Sequence, residues 1–407
     1  MKRMRLLALT TSYPLRTGSS AGVFVQSLYR HLSVGYAIDV ICPADSKPAT
    51  ATVDDGAASG IRIHAVRYAP RAWRTLAQGS GGVVTGLRRS PWHALLLPGL
   101  LIALFWRCLM SAGDADLIHA NWSICGVMAG IVGRLRRKPV ITTLRGSDVA
   151  RATRSQLDRS ILNLAVRHSR IVICVSVAMA EQLRTRFPHR AADIHACLNG
   201  ADEAFFQIDK TVSDGTDLRV LAVGNLIRLK GFDMLIEAVA RARHRERLHV
   251  CIVGDGPERE PLLAQAASLG VSSCITLIGS VPATEIPKQV SEADVFVLSS
   301  RSEGRPNVVV EALAGGLSVI STDLEGVQGM VRNGDTGWLV AVDDADALAA
   351  ALDEAVTDRV ELQRRGERAR AVARTQIGTW ADTARCYTTL FQTALAAGGA
   401  GHPSCAE

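Results

Sequence analysis

Aromatic residues are scarce, 5% of 407 positions, which excludes the wall of stacked rings that single-strand nucleic-acid binders use. No two of the nine cysteines form a C-x-x-C pair, so neither a zinc site nor a disulfide framework is expected. Most of them lie inside apolar runs, such as Ile173-Cys174-Val175 and Val250-Cys251-Ile252, and read as small core hydrophobes in a reducing compartment. A Walker Gly-Lys-Ser/Thr is missing, as are zinc-finger spacing and an aromatic RNA-binding motif. An uninterrupted apolar run of about 20 residues, the length of a spanning helix, is also missing. The longest candidate, Ala94 to Met110, is broken by Pro98, Gly99 and Arg107. Arg88, Arg89, Trp92 and His93 before it fit a segment lying in a membrane interface, while a buried helix fits its length and composition equally well. The opening Met1-Lys2-Arg3-Met4-Arg5-Leu6-Leu7-Ala8-Leu9 is too short an apolar run for a signal peptide and leads into Thr10-Thr11-Ser12-Tyr13-Pro14 without a small-residue cleavage site. A first buried strand is expected there.

Core material is plentiful. Hydrophobic residues make up 48% of the chain and charged residues 21%, and 407 residues suit two domains better than one. The net charge of +7 hides an asymmetry: residues 1–205 hold 26 Lys/Arg against 12 Asp/Glu, and residues 206–407 hold 20 against 27. The basic half suits nucleic acid, or else an anionic membrane surface or phosphorylated acceptor. With the nucleic-acid motifs missing, the second class is favoured and no nucleic-acid partner is expected.

Short apolar runs alternate with longer amphipathic ones, which predicts βα units, parallel sheets and an α/β fold of two Rossmann-like domains. Strands are expected at Arg5–Thr10, Ile38–Cys42, Ile61–Val66, Leu117–His119, Val140–Leu144, Ile171–Val175 and Ile194–Leu198. A second series follows at Arg219–Val223, His249–Val253, Ile275–Ile278, Val295–Leu298 and Ser318–Thr322. These patterns divide the chain into a first domain 1–208, a polar linker 209–217, a second domain 218–376, a helix 377–397 and a tail 398–407. Residues 45–59 and 70–90, rich in Ala, Gly, Ser and Arg, read as surface loops.

The most informative segment is Ser299-Ser300-Arg301-Ser302-Glu303-Gly304-Arg305-Pro306-Asn307-Val308-Val309-Val310-Glu311-Ala312-Leu313. It follows a strand, at the sheet end where open α/β folds bind ligands. Three valines in a row suggest a strand, but a crossover is required before Ser318–Thr322, so a short buried helix is expected. Pro306 suits its first turn and Gly315-Gly316 its stop. Its amino end offers N–H groups to a phosphate. Glu303 and Glu311 are spaced to accept hydrogen bonds from hydroxyls on two parts of one ligand; a solvated Glu303 and a salt-bridged Glu311 are the plainer alternative. In Gly224-Asn225-Leu226-Ile227-Arg228-Leu229-Lys230-Gly231, two cations between strand and helix form a seat for a diphosphate, or else face solvent.

Other signals are weaker. Gly18-Ser19-Ser20-Ala21-Gly22-Val23-Phe24 is a phosphate loop or a plain turn, and Gly254-Asp255-Gly256-Pro257 is a tight turn near a base pocket. Leu117-Ile118-His119-Ala120-Asn121-Trp122 and Thr143-Leu144-Arg145-Gly146-Ser147-Asp148 both end strands and are expected to point into a cleft. Asp114-Ala115-Asp116 has the look of a metal-binding D-x-D, but it precedes its strand and reads better as a solvated turn.

Assembled in this order, the motifs resemble glycosyltransferase family 4, retaining enzymes of the GT-B fold, and the resemblance covers nearly the whole chain. Glu303 and Glu311 match its E-x7-E motif, and Arg228 with Lys230-Gly231 its diphosphate-binding residues. Asn199-Gly200-Ala201-Asp202 resembles the Asn-Gly-Val-Asp that closes its first domain. Thr11-Ser12-Tyr13-Pro14 with Gly22-Val23-Phe24-Val25 resembles the glycine loop of the bacterial exopolysaccharide and teichuronic-acid branch. The resemblance implies two domains facing across a cleft and a nucleotide-sugar donor, with a UDP- or GDP-linked hexose the expected form. It also implies a lipid-linked or saccharide acceptor, no metal or other cofactor, and a place on the cytoplasmic face of the plasma membrane. Arg228 and Lys230 would neutralise the leaving diphosphate, Glu303 would contact the donor sugar and Glu311 the ribose. Gly22, Gly224 and the stretch Gly304, Arg305, Pro306, Asn307 and Val308 would complete the donor site. His119, Asn121, Arg145 and Asp148 would line the acceptor side. Three positions depart from the pattern. Asn121 and Arg145 stand where histidines are frequent, so Asn121 can only hydrogen-bond and Arg145 adds charge suited to an anionic acceptor. Gly329 stands where the family favours glutamate.

Two other classes share this architecture. A sugar-nucleotide epimerase would convert the donor alone, and a non-catalytic scaffold would bind in an assembly complex without turnover.

Overall fold

The computed structural model describes residues 3–15, 22–44, 60–74, 76, 91–210 and 216–396. Most of the Gly18–Gly22 loop, most of the two expected surface loops, the middle of the expected linker and the tail fall outside them.

The chain folds into two units. The first, residues 1–199 with 380–407, is built on seven parallel strands: β1 (Met4–Leu9), β2 (Tyr36–Pro43), β3 (Ile61–Val66), β4 (Leu117–Asn121), β5 (Val140–Leu144), β6 (Ile171–Cys174) and β7 (Ile194–Ala196). Their order is β3-β2-β1-β4-β5-β6-β7. The second, residues 200–379, has six: β8 (Leu218–Val223), β9 (Leu248–Val253), β10 (Ile275–Gly279), β11 (Val295–Leu298), β12 (Ser318–Thr322) and β13 (Gly337–Val340), ordered β10-β9-β8-β11-β12-β13. Both orders are doubly wound: strand order reverses between β1 and β4, and again between β8 and β11. At such a switch point the flanking crossovers leave to opposite faces and open a crevice at the carboxyl ends.

Burial on both faces explains why the strands read as continuous apolar runs. In β1, Leu6 and Ala8 enter one core cluster while Leu7 and Leu9 enter another. In β11, Val295 and Val297 face one side and Phe296 and Leu298 the other. Twelve of the thirteen strands fall where the sequence placed them, within two residues at each end. The exception, β13, is only four residues long, and its Gly-Trp start conceals it.

The expected domain boundaries differ from the observed ones. The division falls between Asn199 and Gly200, and Lys210, from the expected linker, belongs to the second unit, where its ammonium caps the carbonyls of Val290, Ser291 and Ala293. The last helix, Trp380–Ala396, is no separate appendage: Trp380, Ala384, Tyr387, Phe391 and Ala394 form a stripe packed into the first unit's core. Each fully buried large side chain of that stripe contributes about 1.5–3 kcal/mol. A disulfide between Cys197, just after β7, and Cys386 reinforces the docking, which corrects the expectation that all the cysteines are free. Their Cα atoms are 6.1 Å apart across a sequence separation of 189, which no local spacing announces.

The segment around Ala94–Met110 is a 3₁₀ turn, Pro91–Leu96, running into an α-helix, Leu97–Ser111. Pro98 lies in the helix's first turn, where its missing N–H costs nothing. It therefore does not break the run, and the helical stretch Trp92–Asp114 reaches 23 residues, long and apolar enough by length and composition to cross a membrane.

Candidate active site

In the second unit the expected donor residues converge on the switch point between β8 and β11. A one-turn 3₁₀ helix, Arg228–Lys230, follows β8 and ends on Gly231, whose φ of +63° starts the next helix, Phe232–Arg241. A Cβ on Gly231 would meet the Ser299 carbonyl oxygen at 2.0 Å, so only glycine lets the β8 and β11 loops approach this closely. The loops are then stitched: Arg301 N–H donates to Leu229 O (2.8 Å), and Ser299 Oγ–H donates to Lys230 O (3.1 Å).

This stitching sets Lys230 Nζ 2.6 Å from Glu303 Oε1, which also accepts from Ser300 Oγ at 2.7 Å. Arg228 extends into solvent, and among the described residues its guanidinium has no partner. Arg301, unassigned by the sequence, is the clamp: it forks onto Asp233 at 2.8 and 2.9 Å and reaches Asp343 at 2.6 Å. Its position just beyond the strand end was the only available signal. Gly224 closes β8 beside the stem of Lys230.

The three-valine segment forms the expected buried helix, Asn307–Ala314, because its β-branched side chains fill the core on one side of the sheet. Pro306 precedes the first turn in extended conformation and does not sit inside it. Gly316, at φ +78°, stops the helix as expected. Val309 N–H turns back to Pro306 O (3.1 Å), closing the first turn of the helix. The Arg305 side chain turns to Met330 Sδ (3.0 Å), and burial lowers its pKa to about 10. The Glu311 carboxylate accepts no hydrogen bond from any described residue. Burial first, then the charge of Asp202, lift its carboxyl to about 8. Gly326 was also missed: a Cβ there would strike the Gly304 and Glu303 carbonyl oxygens at 2.5 and 2.6 Å, so the loop after β12 backs the donor loop directly.

In the first unit, Gly22 opens the helix Val23–Leu32 at φ +77°, and a Cβ on it would lie 2.5 Å from Ser12 O. All four expected acceptor-side residues turn out to be buried, and three of them are satisfied by interior partners. His119 is fully buried, with Nδ1 3.0 Å from Tyr29 Oη and Nε2 2.8 Å from Thr143 Oγ1; burial, then the charge of Arg145, hold its pKa well below 6.5. Asn121, also fully buried, donates to Tyr29 Oη (2.8 Å). Asp148 spends its carboxylate on the backbone N–H groups of Ser123, Arg145 and Val149, and burial raises its pKa. The rings of Tyr29, Tyr387 and Phe391 enclose His119, the last two carried by the helix Trp380–Ala396.

Arg145 is different. Nη2 and Nε donate to Asn121 Oδ1 (2.6 and 3.2 Å), Nη1 donates to Asn199 Oδ1 (3.2 Å), and the guanidinium lies 5.0 Å from the Phe24 ring centroid. It is 7% exposed, and no carboxylate among the described residues forms an ion pair with it. Two amides orient this buried cation without neutralising it. At the other end of the sheet, Asp116 accepts from Arg5 N–H (2.8 Å) and Asp114 pairs with Arg5, so both acids serve the turn before β4.

The Glycosyltransferase Family 4 description matches residues 21–205, and Glycosyl transferases group 1 matches residues 204–372. Together they run continuously through both units. The chain belongs to glycosyltransferase family 4, of the bacterial polysaccharide type. Among relatives, the glycogen synthase of Mycobacterium tuberculosis is 27% identical over 90% of this chain and 89% of its own length. The putative teichuronic acid biosynthesis glycosyltransferase TuaC of Bacillus subtilis is 28% identical over 86% and 88%. Among solved structures, Anabaena Alr3699/HepE in complex with UDP superposes with a TM-score of 0.73 at 21% identity, covering 96% of this chain and all of that one. The sucrose-phosphate synthase of Thermosynechococcus elongatus gives 0.75 over 97% of this transferase. These neighbours establish the α/β GT-B fold for the glycosyltransferase.

Proposed function

We propose that this glycosyltransferase moves a hexose from a UDP- or GDP-sugar to a lipid-linked saccharide acceptor, with retention at the anomeric carbon. The observation that carries the reading is the arrangement after β8 and β11: Arg228 unpartnered among the described residues, Lys230 on Glu303, and, in the helix that follows, a Glu311 carboxylate with no hydrogen bond from a described residue. Ribose hydroxyls supply the donors that Glu311 lacks, and the two cations receive the diphosphate. The names of relatives made for teichuronic acid, amylovoran and colanic acid, and neighbours solved with UDP and UDP-glucose, support the substrate class.

In this reading the acceptor hydroxyl attacks the anomeric carbon on the face from which the diphosphate departs. Its proton passes to the leaving phosphate oxygen as the new glycosidic bond forms. Lys230 shifts from Glu303 to the phosphate, Glu303 turns to the sugar hydroxyls, and catalysis consists of positioning and leaving-group stabilisation. Charge neutralisation by Arg228 and Lys230 makes the reaction independent of metal. Arg145 receives an anionic group of the acceptor, and the enzyme works at the cytoplasmic membrane face.

A thermal-shift screen against UDP, GDP, ADP and their common sugars tests the donor assignment. One nucleotide family should raise the melting point, since a ligand bound only by the folded state stabilises it. No shift with any of them in folded protein sinks the reading. The anomeric coupling constant of the product tests retention, and turnover in EDTA tests metal independence.

A further inference from the structure

The helix Leu97–Ser111 has two apolar faces, and the first unit uses only one. Leu100, Leu104 and Cys108, at i, i+4 and i+8, are fully buried against Leu7, Leu9, Ile41 and Ile118. On the opposite side Ile102, Trp106 and Met110 repeat the same spacing at 68, 62 and 59% exposure, with Leu95 before them at 71%. The stripe is flanked by two more exposed rings, Trp92 and Trp73. The turn carrying Trp73 is joined to this helix: Tyr68 O would lie 3.1 Å from a Cβ on Gly99.

The charge around this stripe is mostly positive, although Asp39 pairs with Arg62 and His64 and the exposed Asp114 follows Met110 by four residues. From Gly56 to Gly113 the sequence holds seven arginines and no Asp or Glu. Of these, Arg62, Arg67, Arg71 and Arg107 are exposed, and Arg107 Nη2 lies 2.7 Å from His64 Nδ1. An apolar stripe edged by tryptophans and by the exposed Arg67, Arg71 and Arg107 fits an anionic lipid surface.

We propose that the helix Leu97–Ser111 is an in-plane membrane anchor. Ile102, Trp106, Met110 and Leu95 enter the acyl boundary while Arg67, Arg71 and Arg107 meet lipid phosphates. The helix does not cross the bilayer, because Leu100, Leu104 and Cys108 would have to leave the core they complete. It enters about 5–10 Å deep, as interfacial helices do. The anchor brings the enzyme to a lipid-borne acceptor, but its existence does not depend on the glycosyl-transfer reading.

Sedimentation of the full chain with vesicles, without donor or acceptor, tests it. Phosphatidylglycerol/phosphatidylcholine vesicles at low salt should bind the protein at least tenfold more strongly than pure phosphatidylcholine. The double variant Ile102→Glu/Trp106→Glu, with a melting point matching the parent's, should lose at least tenfold in partitioning. Arg67→Gln/Arg71→Gln should weaken binding severalfold and flatten its salt dependence. Brominated lipids should quench the parent more than Trp106→Phe. The proposal is overturned if the folded glutamate variant binds like the parent, or if anionic vesicles are ignored. It is equally overturned if the parent is a dimer in solution that the glutamates dissociate, since the stripe would then be an interface between copies. Nucleotide binding in the thermal-shift screen is a separate readout, so either reading can fail alone.

Discussion

Lys230 Nζ and Glu303 Oε1, 73 residues apart in sequence, form a 2.6 Å ion pair at the ends of β8 and β11. The two side chains are 20% and 12% exposed, so the pair is partly desolvated and each charge depends on the other. In the proposed reaction an incoming diphosphate competes with Glu303 for the ammonium. Lys230→Ala is expected to lower kcat by about 10²–10³, the usual loss for one donor to developing negative charge. Glu303→Gln should also reduce kcat, and the double variant should lose less than the two single losses combined. Steady-state kinetics with the identified donor read all three. Parental kcat and UDP affinity in Lys230→Ala would remove that lysine from the site.

With Glu311 holding the ribose as proposed, nucleotide binding should depend on pH. Burial, then Asp202, raise its carboxyl to about 8, and only the ionised form accepts from both ribose hydroxyls. Affinity should therefore rise with pH up to about 8, with a proton released on binding below that value. Titration calorimetry in buffers of different ionisation enthalpy measures both effects, and Glu311→Gln should show neither. The sign for stability is opposite. An acid whose folded pKa lies above the ordinary 4.5 stabilises the fold below that pH and loses the contribution as pH rises through about 8. Without nucleotide, Glu311→Gln should melt a few degrees above the parent near pH 8.5.

Two glycines with similar φ should respond differently to alanine. Gly231, at +63°, has the Ser299 carbonyl 2.0 Å from an added Cβ, whereas Gly329, at +85°, has nothing within 4 Å. Gly231→Ala must push the β8 and β11 loops apart and is expected to abolish turnover and nucleotide binding. Gly329→Ala carries only the left-handed backbone cost, about 1–2 kcal/mol, and should keep most activity. Melting curves and initial rates on both variants decide this, and full activity in Gly231→Ala contradicts the described contact.

Arg145 should govern acceptor choice. Its guanidinium is held by Asn121 and Asn199 with no carboxylate partner among the described residues. Arg145→Lys cannot reproduce the fork. It is expected to reduce kcat/KM at least tenfold for acceptors bearing a phosphate or carboxylate, and much less for neutral ones, with nucleotide affinity unchanged. Equal losses on charged and neutral acceptors would make Arg145 a structural residue.

The sequence by itself determined the two parallel sheets, because strands buried on both faces must be short apolar runs and the crossovers between them must be amphipathic. It also marked the loops after β8 and β11 that are proposed to hold the donor. A strand end, a glycine that only tight approach requires, two cations and two carboxylates eight residues apart are all local signals. Tertiary structure decided what those residues touch. His119 and Asn121 lie within β4 while Arg145 and Asp148 follow β5, and all four are buried: Tyr29 and helix Trp380–Ala396 enclose His119, Tyr29 also accepts from Asn121, and backbone N–H groups take up Asp148. The Cys197–Cys386 bond, the return of the last helix to the first unit and the Arg301 clamp all join residues far apart in the chain. Periodicity reports which face of an element is buried, but not which distant residue buries it, and these roles rest on that second choice.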